Sequence, residues 1–120
     1  VFSIYALNLV LDWVVAPGGV TEMHRRNLAK AHKLYAFLDQ SDFYTAPVET
    51  TARSLTNVVF TTGDLTRDKM IAKRAESEGL FNLNGHRSVG GFRASLYNAQ
   101  SMAAVDALIT FLKKVEKEQV

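Results

Sequence analysis

The stretch Gly85-His86-Arg87-Ser88-Val89-Gly90-Gly91-Phe92-Arg93 places three glycines, one histidine and two arginines in nine positions. Glycine lets a backbone take positive φ and approach a ligand closely. Consecutive backbone N–H groups can then form an anion-binding concavity. Arginine adds a planar fork that matches carboxylate or phosphate with two bonds. Histidine adds a donor, and a cation when protonated. Arg87 precedes the glycine pair and Arg93 follows it, so the two guanidiniums could grip opposite ends of one small dianion. Residue types alone leave a second reading open: a hairpin or crossover loop whose arginines pair with local acids.

Chemistry is sparse elsewhere. The chain has no cysteine, which excludes disulfides, Cys-ligated zinc and a thiol nucleophile and fits a cytoplasmic setting. No GxSxG elbow occurs, although Ser88 lies near glycines, and no HExxH spacing occurs. His24 and His32 are eight residues apart on one predicted helix, about 80° apart around its axis, which does not suit a shared metal. The lysines, at 30, 33, 69, 73, 113, 114 and 117, all fall on predicted amphipathic helices. None reads as the desolvated lysine that a Schiff base needs. Arg25, Arg26, Lys30 and Lys33 read as a solvated face rather than a nucleic-acid patch. The net charge of +2, from 14 basic against 12 acidic side chains, is too small to argue for nucleic acid. On its own residues the chain offers no complete catalytic set.

The elements that must position the loop follow from pattern. The 120 residues, 48% hydrophobic and 22% charged, suit one globular domain. Residues 3–16 are apolar nearly all round, which predicts a helix covered on most sides. The run from Ile4 to Ala16 is too short to span a bilayer and has no basic leader before it. Pro17-Gly18-Gly19 ends it. A second helix is predicted over 21–40, with Ala31, Leu34, Tyr35 and Leu38 as its buried stripe. Residues 41–54 read as a loop with one short edge strand, and 54–62 as a strand. A helix over 66–78 should stop at Gly79. Leu80 to Leu83 reads as a short strand, and 92–98 alternates as another. Ser101 should cap a last helix with the stripe Val105, Leu108, Ile109 and Leu112. The sum is an α+β layer: a three- or four-stranded, mostly antiparallel sheet with helices on one face. Residues 1–17 are expected to form a connecting helix and 18–120 the layer.

The segment "GHRSVGGFRASLYNA", with "RSLTNVVF" upstream, resembles the C-terminal part of the phosphoserine aminotransferases. These are class V, fold-type I, pyridoxal-phosphate enzymes of serine biosynthesis. The opening "FSIYALNLVL" and the closing "SMAAVDALITFLKKVE" match in character, so the resemblance runs through essentially all 120 residues in order. It implies conversion of 3-phosphohydroxypyruvate and glutamate to phosphoserine and 2-oxoglutarate, and in bacteria a phosphohydroxythreonine step of pyridoxine synthesis. It implies a homodimer with small-molecule substrates and no nucleic-acid or membrane partner. It makes Arg93 the clamp for the substrate α-carboxylate. His86 and Arg87 become the pair that receives the phosphate or the distal carboxylate of glutamate. The large domain, with the Schiff-base lysine, the pyridinium-binding aspartate and most of the cofactor's phosphate cup, is expected outside these residues. A first residue that is not methionine, followed at once by an apolar helix, also points to a piece of something longer. No catalytic, cofactor-binding or metal-binding residue is therefore expected in this chain, and by itself it should be inactive and free of pyridoxal phosphate. The alternative is a free-standing binding module for small phosphorylated or dicarboxylate metabolites.

Overall fold

The computed structural model describes residues 1–119. In chain order it contains α1 (Phe2–Val15), α2 (Gly19–Gln40), a 3-10 turn (Thr50–Ala52), β1 (Asn57–Phe60), α3 (Leu65–Ser77), β2 (Phe92–Ser95) and α4 (Met102–Gln119). Helix ends obey local chemistry. The Asp64 carboxylate accepts from the N–H groups of Thr66 and Arg67 and starts α3. Gly79, at φ 88°, ends it: its N–H donates to Glu76 O and that of Leu80 to Ala75 O. Ser101 Oγ accepts from the Ala104 N–H at the start of α4.

β1 and β2 pair antiparallel, with Val58 opposite Ala94 and Phe60 opposite Phe92. Those four side chains are buried and form the inner face. Tyr35, Leu34 and Leu38 of α2, and Leu108, Leu112 and Val115 of α4, belong to the same core. Phe60 and Phe92 stack at 4.8 Å, and Tyr44 meets both rings edge-on. The Tyr44 hydroxyl donates to Leu112 O, which satisfies the one polar atom this ring carries inward. The outer face holds Asn57, Val59, Arg93 and Ser95, and Ser95 Oγ donates to Asn57 Oδ1 across the strands.

The sheet is smaller than the sequence pattern predicts. The two flanking segments contribute single bridges, Thr45 to Thr61 and Asn84 to Phe92, and no further strands. Asn82 supplies a physical reason on one side. Its φ of 63° turns the Leu80–Leu83 segment, so the Arg93 N–H still reaches Leu83 O but the ladder goes no further. On the other side Pro47, two residues past the Thr45 bridge, lacks the N–H a longer ladder needs. β1 is also shorter than 54–62, because Ser54 Oγ accepts from the N–H groups of Thr56 and Asn57 and holds a turn there.

α1 stands apart. It buries none of its residues, and Leu7 remains 57% exposed and Trp13 44%. The axis bends by 74° between α1 and α2. Among the described residues no single helix is long and apolar enough to cross a membrane.

Candidate anion-binding site

The loop before β2 rests on the turn between β1 and α3. Asp68 organises that turn from a fully buried position. Its carboxylate accepts from Thr61 Oγ1 at 2.6 Å, Thr62 Oγ1 at 2.5 Å and the Thr62 N–H at 3.0 Å. Arg67 adds bonds to Thr62 Oγ1 and Thr62 O and lies over the Phe43 ring. Gly91 packs against this turn at φ 69°, where a Cβ would come within 2.8 Å of Phe60 O. The glycine loop is thus seated on a turn that a buried carboxylate holds together with three hydrogen bonds.

The glycines hold the loop closed. The Gly85 N–H donates to Gly91 O at 2.9 Å and closes the loop at its neck. A Cβ on Gly85 would lie 2.0 Å from Gly90 O, so the neck has room for hydrogen only. Inside the loop, His86 O accepts from the N–H groups of Val89 and Gly90. His86 Nδ1 lies 2.6 Å from Ser88 Oγ and accepts from the Ser88 N–H at 3.3 Å.

His86 and Arg87 stand exposed on the loop, and Arg93 stands exposed on the outer face of β2 opposite Val59. The chain has seven arginines. Arg25 and Arg26 share Glu22, Arg53 grips Asp39 with two bonds, Arg67 holds Thr62, and Arg74 pairs with Glu118. Arg87 and Arg93 have no side-chain hydrogen bond or ion pair among the described residues. The reading in which these two neutralise local acids is not what the structure holds. Arg93 also borders a groove of about 810 Å³ between residues 79–84, β2 and the first half of α4, whereas His86 and Arg87 lie outside it. The two cationic ends therefore face different surroundings.

One lysine departs from its expected place. Lys30 is 3% exposed, not solvated. Its Nζ donates to Tyr97 O at 2.8 Å and Gln100 O at 2.9 Å, tying α2 to the segment after β2. Burial pushes its ammonium pKa down. The spacing Met23, Asn27, Lys30, Leu34 continues the buried stripe of α2 and was the available signal. The remaining arginines and lysine of that helix are engaged too. Hydrogen bonds from Arg25 and Arg26 hold the Glu22 carboxyl down at about 2, and Lys33 pairs with Asp106.

The aminotransferase class-V family model matches residues 1–108. The phosphoserine aminotransferase of Leuconostoc mesenteroides is 71% identical over 116 residues, covering 97% of this chain and 32% of that protein. The solved phosphoserine aminotransferase of Bacillus circulans subsp. alkalophilus superposes with a TM-score of 0.96 at 38% identity, covering 99% of this chain and 33% of that one. The PLP-bound phosphoserine aminotransferase of Trichomonas vaginalis gives a TM-score of 0.86 at 36% identity, over 93% of this chain and 32% of that one. The chain spans about a third of the length of the curated relatives it matches.

Proposed function

Because the chain belongs to the class-V aminotransferase family, we propose that it is the substrate-recognition part of a phosphoserine aminotransferase. That enzyme converts 3-phosphohydroxypyruvate and glutamate to phosphoserine and 2-oxoglutarate, and in bacteria it also serves a phosphohydroxythreonine step of pyridoxine synthesis. The observation that carries the reading is the pair of unengaged guanidiniums, Arg87 and Arg93, on either side of the closed Gly85–Gly91 neck. Arg93 takes the α-carboxylate common to every substrate. Arg87 and His86 take the distal anion, phosphate in one half-reaction and carboxylate in the other. One guanidinium serves both anions because each presents oxygens at a spacing its fork can match. The domain division follows the same reading: α1 connects, and residues 18–120 form the substrate-binding layer.

Pyridoxal phosphate supplies the amino-transfer chemistry in such enzymes. These residues do not fit it. A Schiff base needs a desolvated lysine free to react. The one desolvated lysine, Lys30, is committed to two backbone carbonyls, and the other six are exposed. The chain's own part is to bind and orient, and alone it should not transaminate.

A homodimer in the cytoplasm fits the reading, since the apolar α1 calls for a covering surface. A free-standing module for phosphorylated or dicarboxylate metabolites would use the same grips. Titration of the 120-residue chain with phosphoserine tests both readings at the level of binding. Saturation that weakens in Arg87→Ala and in Arg93→Lys supports the grips, and no change in either variant contradicts them. Transamination on addition of pyridoxal phosphate to this chain alone would contradict the recognition-only role.

A further inference from the structure

We infer that Ser88 fixes His86 in the tautomer that carries its proton on Nε2, making Ser88 a positioning residue for the anion loop. The inference rests on the anion-binding reading only for its use, not for its geometry. The Ser88 N–H donates to His86 Nδ1 at 3.3 Å. A backbone N–H can only donate, so Nδ1 presents its lone pair. With Nδ1 as the acceptor, the 2.6 Å contact between Nδ1 and Ser88 Oγ runs from the hydroxyl to the ring, and the two donors share the single lone pair of that nitrogen. In a neutral imidazole whose Nδ1 accepts, the proton sits on Nε2.

Nε2 has no partner among the described residues, and the ring is exposed. The loop therefore offers an incoming anion the Nε2–H donor of His86, one residue before Arg87 in the chain. Ser88 does this without touching the ligand: it occupies the inner ring nitrogen and leaves the outer one free to donate. The two bonds also span only two residues, from 86 to 88, within a turn already closed by His86 O accepting from Val89 and Gly90. Ring orientation and protonation site are thus set by the same short segment. A serine near glycines otherwise reads as a nucleophile, and here the geometry gives it a different task.

The test is a long-range 15N–1H correlation spectrum of the uniformly 15N-labelled chain at about pH 8, where imidazoles are mainly neutral. The His86→Gln variant identifies the His86 signals against those of His24 and His32. The expected spectrum shows His86 with unprotonated Nδ1 and protonated Nε2. Ser88→Ala should move it toward a mixture of tautomers, and Ser88→Thr should retain the original pattern. A His86 protonated on Nδ1 overturns the inference, and so does a Ser88→Ala spectrum unchanged from the parent. Titration with inorganic phosphate forms a second arm. The Nε2 resonance should shift, and Ser88→Ala should bind phosphate about fivefold more weakly, the scale of one neutral hydrogen bond. The expected tautomer with no phosphate shift would uphold the role of Ser88 and overturn the anion-binding reading.

Discussion

Gly85 and Gly91 are joined by a 2.9 Å backbone hydrogen bond that closes the loop carrying His86 and Arg87. The contact is so tight that a Cβ on Gly85 would meet Gly90 O at 2.0 Å. Gly85→Ala should therefore open the neck. Because the loop is exposed, the fold should survive with a loss of about 1–3 kcal/mol. Phosphate binding should weaken by about tenfold or more. Chemical denaturation and a phosphate titration measure the two effects separately. A variant that binds phosphate as the parent does would show that the closed neck does not position the grips.

Asp68 braces, from a buried position, the turn on which that loop rests. Asp68→Ala leaves two threonine hydroxyls and the Thr62 N–H without their acceptor. The expected cost is about 2–4 kcal/mol, read as a lower denaturation midpoint. A change below about 0.5 kcal/mol would mean that water replaces the carboxylate without loss.

Much of this arrangement is legible from residue types, and some is not. The Gly79 stop, the Ser101 cap and the α2 stripe rest on local rules, and the structure obeys them. The glycine-arginine loop stands out because its composition is unusual over nine residues. Sheet width is not local. It depends on the left-handed turn at Asn82, which no periodicity announces. Lys30 and Asp68 are hidden for another reason: a charge is assigned to the surface by default, and only tertiary contact reveals the carbonyls and hydroxyls that make burial tolerable. Whether two arginines are engaged or free also depends on which acids the fold brings near them.

Tyr44 predicts behaviour at alkaline pH. Burial first, and nearby Glu116 and Asp68 charge next, raise its phenol pKa well above the ordinary 10.0. Between those two values the folded state keeps a proton that the unfolded state has lost. Stability should then fall as pH rises above about 10. Tyr44→Phe, which removes the titrating hydroxyl, should flatten this alkaline decline while lowering stability at neutral pH by about 1 kcal/mol for the lost bond to Leu112 O. Urea denaturation across the alkaline range checks both. A decline of the same steepness in the variant would assign the effect to other groups, with Tyr35, also raised by burial, the first to consider.

α1 predicts association. With Leu7 and Leu11 more than half exposed on a helix that buries nothing, the isolated 120-residue chain should self-associate. Sedimentation velocity should show species larger than the monomer at micromolar concentration. The double substitution Leu7→Glu and Leu11→Glu should return it to monomer. A parent chain that stays monomeric with α1 helical and protected would contradict this account of the helix.

The division of labour between Arg93 and Arg87 is tested most directly by kinetics in a full-length aminotransferase carrying these 120 residues. Two substrates suffice: phosphoserine, with both anionic ends, and alanine, with the α-carboxylate alone. Arg93→Lys should lower kcat/KM for both by about 10- to 100-fold, because lysine loses the two-bond fork. Arg87→Ala should lower it by a similar factor for phosphoserine and leave the slow alanine reaction within about twofold of the parent. Equal losses on both substrates in Arg87→Ala, or an Arg93→Lys enzyme unchanged on either one, would contradict the assignment of one arginine to each end.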